Sequence, residues 1–117
     1  MKKVLVIDDE FKIRQMYTRF LRNEGIDVID VPCAVDANEV LKRCVIDLVL
    51  LDIKMPDIDG NMMYDFISLF YKKVKIIVAS VYPTEEQRQA ISSAYDYYDK
   101  SQGIDMLLAK VKKALED

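Results

Sequence analysis

Three apolar runs and one weaker strand signal in this chain end on side chains that can do chemistry. Val4–Ile7 runs into Asp8-Asp9-Glu10, Leu48–Leu51 stops on Asp52, Lys75–Ala79 stops on Ser80, and Tyr95–Asp99 stops on Lys100. If these runs are strands of one parallel sheet, the groups meet at its carboxyl edge, where open α/β folds keep their ligand sites. Carboxylates gathered in one crevice repel one another, and a hard divalent cation relieves that repulsion. Mg²⁺ suits such oxygen donors, whereas Zn²⁺ prefers imidazole and thiolate sets, and the chain has no histidine. The Lys100 ammonium and the Ser80 hydroxyl would then flank an oxyanion beside Asp52. Metal, carboxylate nucleophile, hydroxyl and ammonium together describe phosphoryl transfer. An aspartate that ends a strand and opens a turn is ordinary on its own. The company of the other strand ends is what marks Asp52.

The elements that must position these groups follow from periodicity. Leu48-Val49-Leu50-Leu51 is continuously apolar, as strands buried on both faces are, and Pro56 and Gly60 then turn the chain. Ile13, Met16, Tyr17, Phe20 and Leu21 form the stripe of a first helix stopped at Gly25, and Ile26, Val28, Ile29 and Val31 form a second strand. Asp36 with Glu39 reads as a capping box for a short helix using Ala37, Val40, Leu41 and Cys44. Met62, Met63, Phe66, Ile67 and Phe70 mark a third helix, with both methionines read as core filler. Thr84 with Gln87 reads as a capping box for a fourth helix of thin apolar content, Ala90, Ile91 and Ala94, and so a candidate to move. Ile104, Leu107, Leu108, Val111 and Leu115 make the last helix. Alternating strands and helices specify a doubly wound, five-stranded parallel α/β sheet of flavodoxin-like type, because parallel strands need crossovers.

Composition narrows the function classes. At 117 residues the chain fits one domain, residues 1–117, with no room for an effector domain. There is no apolar run long enough to span a bilayer, and Met1-Lys2-Lys3 with Val4–Ile7 is too short for a signal peptide, so a cytoplasmic location is expected with no membrane partner. Cys33 and Cys44 lack metal-ligand spacing and read as small apolar residues. A net charge of −3 argues against nucleic acid as a partner. The missing histidine excludes a histidine base, a Ser-His-Asp triad and a phosphohistidine carrier.

The set Asp8-Asp9, Asp52 with Pro56 and Gly60, Ser80 and Lys100 resembles the receiver domain of two-component response regulators, across essentially the whole chain and close to the single-domain chemotaxis type. The resemblance implies the strand order 2-1-3-4-5 and a phosphoacceptor at Asp52, charged by a sensor histidine kinase or phosphotransfer protein. It implies Mg²⁺ on Asp9 and Asp52, with Asp8 through water and the Lys54 backbone carbonyl as a further ligand. Ser80 and Lys100 would hold the phosphoryl oxygens, and Tyr97 falls where the family has the aromatic that turns inward as the hydroxyl residue moves. Output would pass to a partner protein through the fourth helix, fifth strand and fifth helix. Such a chain is a signalling phosphoacceptor rather than an enzyme. Lys54 and Tyr82 occupy the positions that flank the path of the hydrolytic water.

This sequence departs from the family pattern in three places. Ser101 follows Lys100 where the family has a proline joined through a cis peptide; a cis bond at a non-proline residue costs about 2.5–4 kcal/mol, and a trans bond rearranges the turn into the last helix. Ser93 stands for the usual glycine before Ala94, and Val81 replaces the small residue after Ser80 and would narrow the entrance to Asp52. None removes a reacting group. Two other readings are a small aspartyl-phosphate phosphatase, which needs an acid or base beside Asp52, and an unphosphorylated pseudo-receiver, which the intact acid, hydroxyl and lysine set opposes. With three glycines, the chain supplies no phosphate-cradling loop for a nucleotide.

Overall fold

The computed structural model describes residues 2–54 and 59–117. Five strands alternate with five helices: β1 Lys3–Ile7, α1 Phe11–Asn23, β2 Asp27–Val31, α2 Ala34–Arg43, β3 Leu48–Asp52, α3 Gly60–Phe70, β4 Lys75–Ser80, α4 Thr84–Ala90, β5 Asp96–Asp99 and α5 Ile104–Glu116. All pairings are parallel, as the alternation of strands and helices predicts, and the strand order is β2-β1-β3-β4-β5, as the family resemblance implies. β3 lies at the centre and is buried along its whole length.

The period-2 geometry of strands sorts the core into two layers. Leu5, Ile7, Val49, Leu51, Ile76, Val78 and Tyr97 face Ala37 and Leu41 of α2, Met63 and Ile67 of α3, and Ile91. Val4, Val6, Leu48, Leu50, Ile77, Ala79 and Tyr98 face Tyr17 and Leu21 of α1 and Leu107, Val111 and Ala114 of α5. Helices on both faces explain why the central strands are apolar without alternation. No helix among the described residues is long and apolar enough to cross a membrane, and Cys33 and Cys44 are both free.

Several local expectations are corrected. Neither capping box forms: Asp36 lies inside the first turn of α2, whose N-cap is Cys33, and α4 is capped by Pro83. Gln87 is instead fully buried, its amide N–H donating to the carbonyls of Tyr82 at 2.7 Å and Tyr98 at 3.0 Å. The α4 stripe is also displaced, because the helix ends at an exposed Ala90 and only Ile91 beyond it is buried. On α3, Met63 is core while Met62 and Phe70 are 60% and 65% exposed, since that helix buries one narrow stripe through Met63 and Ile67. Pro56 lies outside the described residues.

Gly60 is needed for space rather than for a positive φ, which among described glycines only Gly25 has. The Gly60 N–H donates to the Ile53 carbonyl at 2.9 Å, and a Cβ on Gly60 would stand 2.5 Å from the Ile53 Cα and carbonyl oxygen. This contact draws α3 back against the end of β3. Gly60→Ala is therefore expected to destabilise the fold by about 1–3 kcal/mol in urea denaturation, as overpacking does. An unchanged midpoint would show that the backbone after Asp52 yields freely.

Candidate functional site

The same alternation carries Asp8, Asp52 and Lys100 to the α1/α5 side of the sheet edge, while Ser80 follows Ile76 and Val78 toward the other layer. Asp8, Asp52 and Ser80 are almost fully buried. The Lys100 side chain, 7% exposed, reaches back over the edge: its Nζ lies 2.8 Å from Asp8 Oδ2, 3.4 Å from Asp52 Oδ2 and 3.8 Å from Glu10 Oε1. Asp8 Oδ1 accepts the Glu10 N–H at 2.9 Å, and Asp52 Oδ1 accepts the Lys54 N–H at 3.2 Å. Each buried carboxylate thus has one oxygen tied to a backbone donor and one turned to the ammonium. Ser80 Oγ accepts the Tyr82 N–H at 3.3 Å, and the Ser80 carbonyl accepts the Lys100 N–H at 2.8 Å.

Arg14 braces this edge from α1. Its Nη1 donates to the Asp8 carbonyl at 2.8 Å while its Nε pairs with Asp30 of β2 at 3.0 Å. The sequence carried no sign of that arginine's role, since the pair joins a helix to a strand 16 residues on. Glu10 was visible as the third acid of a triplet but without an assigned task. The carboxylate oxygens of Asp8, Asp9 and Glu10 lie within 4.8 Å of one another, a hard-oxygen set that suits Mg²⁺. Asp52 stands outside that group, drawn toward Lys100.

Burial pushes the Asp52 carboxyl up to about 6; Lys100 opposes this, the Asp8 charge reinforces it, and the Lys54 N–H opposes it weakly. Burial alone would lower the Lys100 ammonium, but its hydrogen bond to Asp8 and the charges of Asp52, Asp8 and Glu10 outweigh that and hold it above its ordinary value. The Lys54 Nζ lies 4.9 Å from the centre of the Tyr82 ring, and its hydrogen bond with Tyr82 raises the lysine above its ordinary value. Val81 is 63% exposed.

Tyr97 points inward and is 2% exposed. Its hydroxyl donates to the Ile91 carbonyl and accepts the Ala94 N–H at 3.2 Å, while the Arg88 guanidinium covers the ring at 4.6 Å. The tyrosine therefore ties β5 to the chain leaving α4.

A five-stranded parallel sheet with acids at the ends of β1 and β3, a hydroxyl at β4 and a lysine beyond β5 defines the receiver class of signalling domains. The chain belongs to the response regulator receiver domain family, whose model matches residues 4–112, and that places it in two-component signalling. It is similar to sporulation initiation phosphotransferase F of Bacillus subtilis, 26% identical over 97% of this chain and 94% of that protein. It is also similar to the chemotaxis protein CheY of Treponema pallidum, 29% identical over 97% of this chain and 83% of that protein. Other curated relatives are longer: the chain spans 26% of the regulatory protein VanRc of Enterococcus gallinarum, with 41% identity over 59 residues. Among solved structures, the response regulator TrrA of Thermotoga maritima, in complex with Mg²⁺-BeF, superposes with a TM-score of 0.88 and 34% identity, covering 97% of this chain and 99% of that one.

The raised Asp52 carboxyl has a consequence for stability. Its folded pKa of about 6 exceeds the ordinary 3.8, so its contribution is fully present below pH 3.8 and is lost as pH rises through 6. At neutral pH the ionised group costs up to about 3 kcal/mol, from about two units at about 1.4 kcal/mol each. In EDTA, Asp52→Asn is expected to raise the melting temperature at pH 7.5, with the gain vanishing near pH 4. An equal gain at both pH values would assign the effect to something other than charge burial.

Proposed function

We propose that Asp52 is the phosphoacceptor, and that the chain stores a signal as an aspartyl phosphate received from a phosphohistidine of a sensor kinase or phosphotransfer protein. The observation that supports this most is the Lys100 ammonium, held between Asp8 and Asp52 at the edge where Ser80 also stands. With its carboxyl near 6, Asp52 is mostly ionised at cellular pH and can attack phosphorus. The new bond is Asp52 Oδ–P; the donor's N–P bond breaks and its imidazole leaves with the electron pair. Lys100 and the Ser80 hydroxyl sit to receive the anionic oxygens of the transferred group.

Asp9 and Asp52, Asp8 through water, and the Lys54 carbonyl would hold Mg²⁺, and Glu10 adds an oxygen on the same side. Mg²⁺, when bound, neutralises charge on the transferring oxygens. The group is stored rather than turned over on a diffusible substrate, and a cytoplasmic setting accords with a kinase donor. Output would run through the face of α4, β5 and α5, where Ser80 accepts the Tyr82 N–H, Gln87 of α4 bonds the Tyr82 and Tyr98 carbonyls, and Tyr97 bonds the Ile91 carbonyl.

Incubation with acetyl phosphate and Mg²⁺ is expected to add one phosphoryl group by intact mass, with EDTA or Asp52→Asn abolishing it. Modification persisting in Asp52→Asn would sink the assignment.

The Lys54–Tyr82 contact also bears on lifetime. Neither side chain offers a carboxylate or amide to orient water, and a Tyr82 ring packed on the Lys54 ammonium, two residues from Asp52, would obstruct in-line approach. Tyr82→Ala and Lys54→Asn are each expected to speed dephosphorylation by ~3–30-fold, read as phosphate release after donor removal. Decay at the parent rate in Tyr82→Ala would show that the ring does not obstruct hydrolysis.

A further inference from the structure

The turn that presents Lys100 is held by side chains that no part of the phosphoacceptor reading uses. Asp99 ends β5 opposite Ser80 in the strand register. Its Oδ1 accepts two donors from Ser101, the backbone N–H at 2.8 Å and the hydroxyl at 2.7 Å. Its own carbonyl accepts the Gln102 N–H at 2.9 Å, closing a four-residue turn with Lys100 second. Aspartate is favoured as the first residue of such a turn because its carboxylate bonds the backbone two residues on. On the core side, the buried Tyr98 hydroxyl donates to the carbonyls of Gln102 at 2.7 Å and Gly103 at 3.2 Å. The peptide bond between Lys100 and Ser101 is trans, so the turn here is restrained by hydrogen bonds at the place where the family pattern uses a proline ring.

We propose that Asp99, through its two bonds to Ser101, is a positioning residue that fixes the turn in which Lys100 stands and so aims the Lys100 ammonium at the phosphoryl group of Asp52. The inference rests on the reading of Asp52 as phosphoacceptor with Lys100 beside it. A lysine side chain is long and flexible, so its head is placed only as well as its Cα is placed. The Lys100 Cα is fixed on one side by the N–H to Ser80 and on the other by the Asp99–Ser101 bonds. Ser101 is exposed and Asp99 half-exposed, with neither in the core, so the bonds set geometry rather than bury surface. Ser101 holds the Asp99 carboxyl below the usual carboxylate range, so the acceptor stays ionised at working pH.

The test compares Asp99→Ala, Asp99→Asn and Lys100→Gln in the full chain, following acetyl phosphate labelling with Mg²⁺ over a range of donor concentrations. Asp99→Ala is expected to lower the limiting rate about 3–10-fold with little change in half-saturating donor. Asp99→Asn retains an Oδ1 acceptor and is expected to restore the rate to within about twofold of the parent. Mg²⁺ affinity by calorimetry should be the same in both Asp99 variants as in the parent. A parental rate in Asp99→Ala beside a slow Lys100→Gln would overturn the positioning role alone. Failure of Asp99→Asn to recover would overturn it too, by tracing the loss to charge. A parental rate in Lys100→Gln would overturn the underlying reading of the site. If Asp99→Ala does not fold, Ser101→Ala removes one of the two bonds; a slowed limiting rate supports the proposal and a parental rate overturns it.

Discussion

One buried cation serves two buried carboxylates, and the carboxyl edge of the sheet is arranged around that imbalance. An ammonium or a carboxylate inside a protein is tolerable only when paired and hydrogen-bonded. Lys100 makes its short contact to Asp8 and its longer one to Asp52, and burial raises the Asp52 carboxyl against the pull of that ammonium. Every neighbouring device answers to this arrangement. The Glu10 and Lys54 backbones each supply an N–H to one carboxylate, and Arg14 grips the Asp8 carbonyl without spending its charge on the acid itself, which goes to Asp30.

The arrangement of strands was legible in the sequence because a parallel sheet buried on both faces writes itself as short apolar runs with polar stops, and the stops are the site. Asp8, Asp52 and Lys100, joined through the ammonium, each stand just where an apolar run or a weaker strand signal ends. What spacing could not reveal was contact across layers. Gln87 looked like the third residue of a capping box, yet its amide lies in the core as a bridge between Tyr82 and Tyr98. Met62 and Met63 are adjacent and chemically identical, and only the angle at which α3 meets the sheet decides that one is core and the other exposed. The bonds from Ser101 to Asp99 span only two residues, a local pattern that an aspartate two before a serine makes readable in principle.

Helix α4 shows how a weakly packed element can still be accurately placed. It contributes almost no apolar surface, and its buried member is a glutamine that satisfies two carbonyls while its own Oε1 lacks a hydrogen-bond partner among the described residues. Polar contacts of this kind are directional, so α4 is held in orientation more than in depth. A helix tethered in that way can be released or reset by breaking few contacts.

The strict alternation along β1, β3, β4 and β5 has a consequence for how such a molecule can change over evolutionary time. Asp8, Asp52 and Lys100 share parity with the residues under α1 and α5, whereas Ser80 and Tyr97 share parity with those under α2, α3 and α4. The buried acids with their lysine and the inward tyrosine therefore belong to opposite sides of a sheet one residue thick. Substitutions accumulating under one helical layer can repack that side while the side chains rooted in the other layer keep their surroundings.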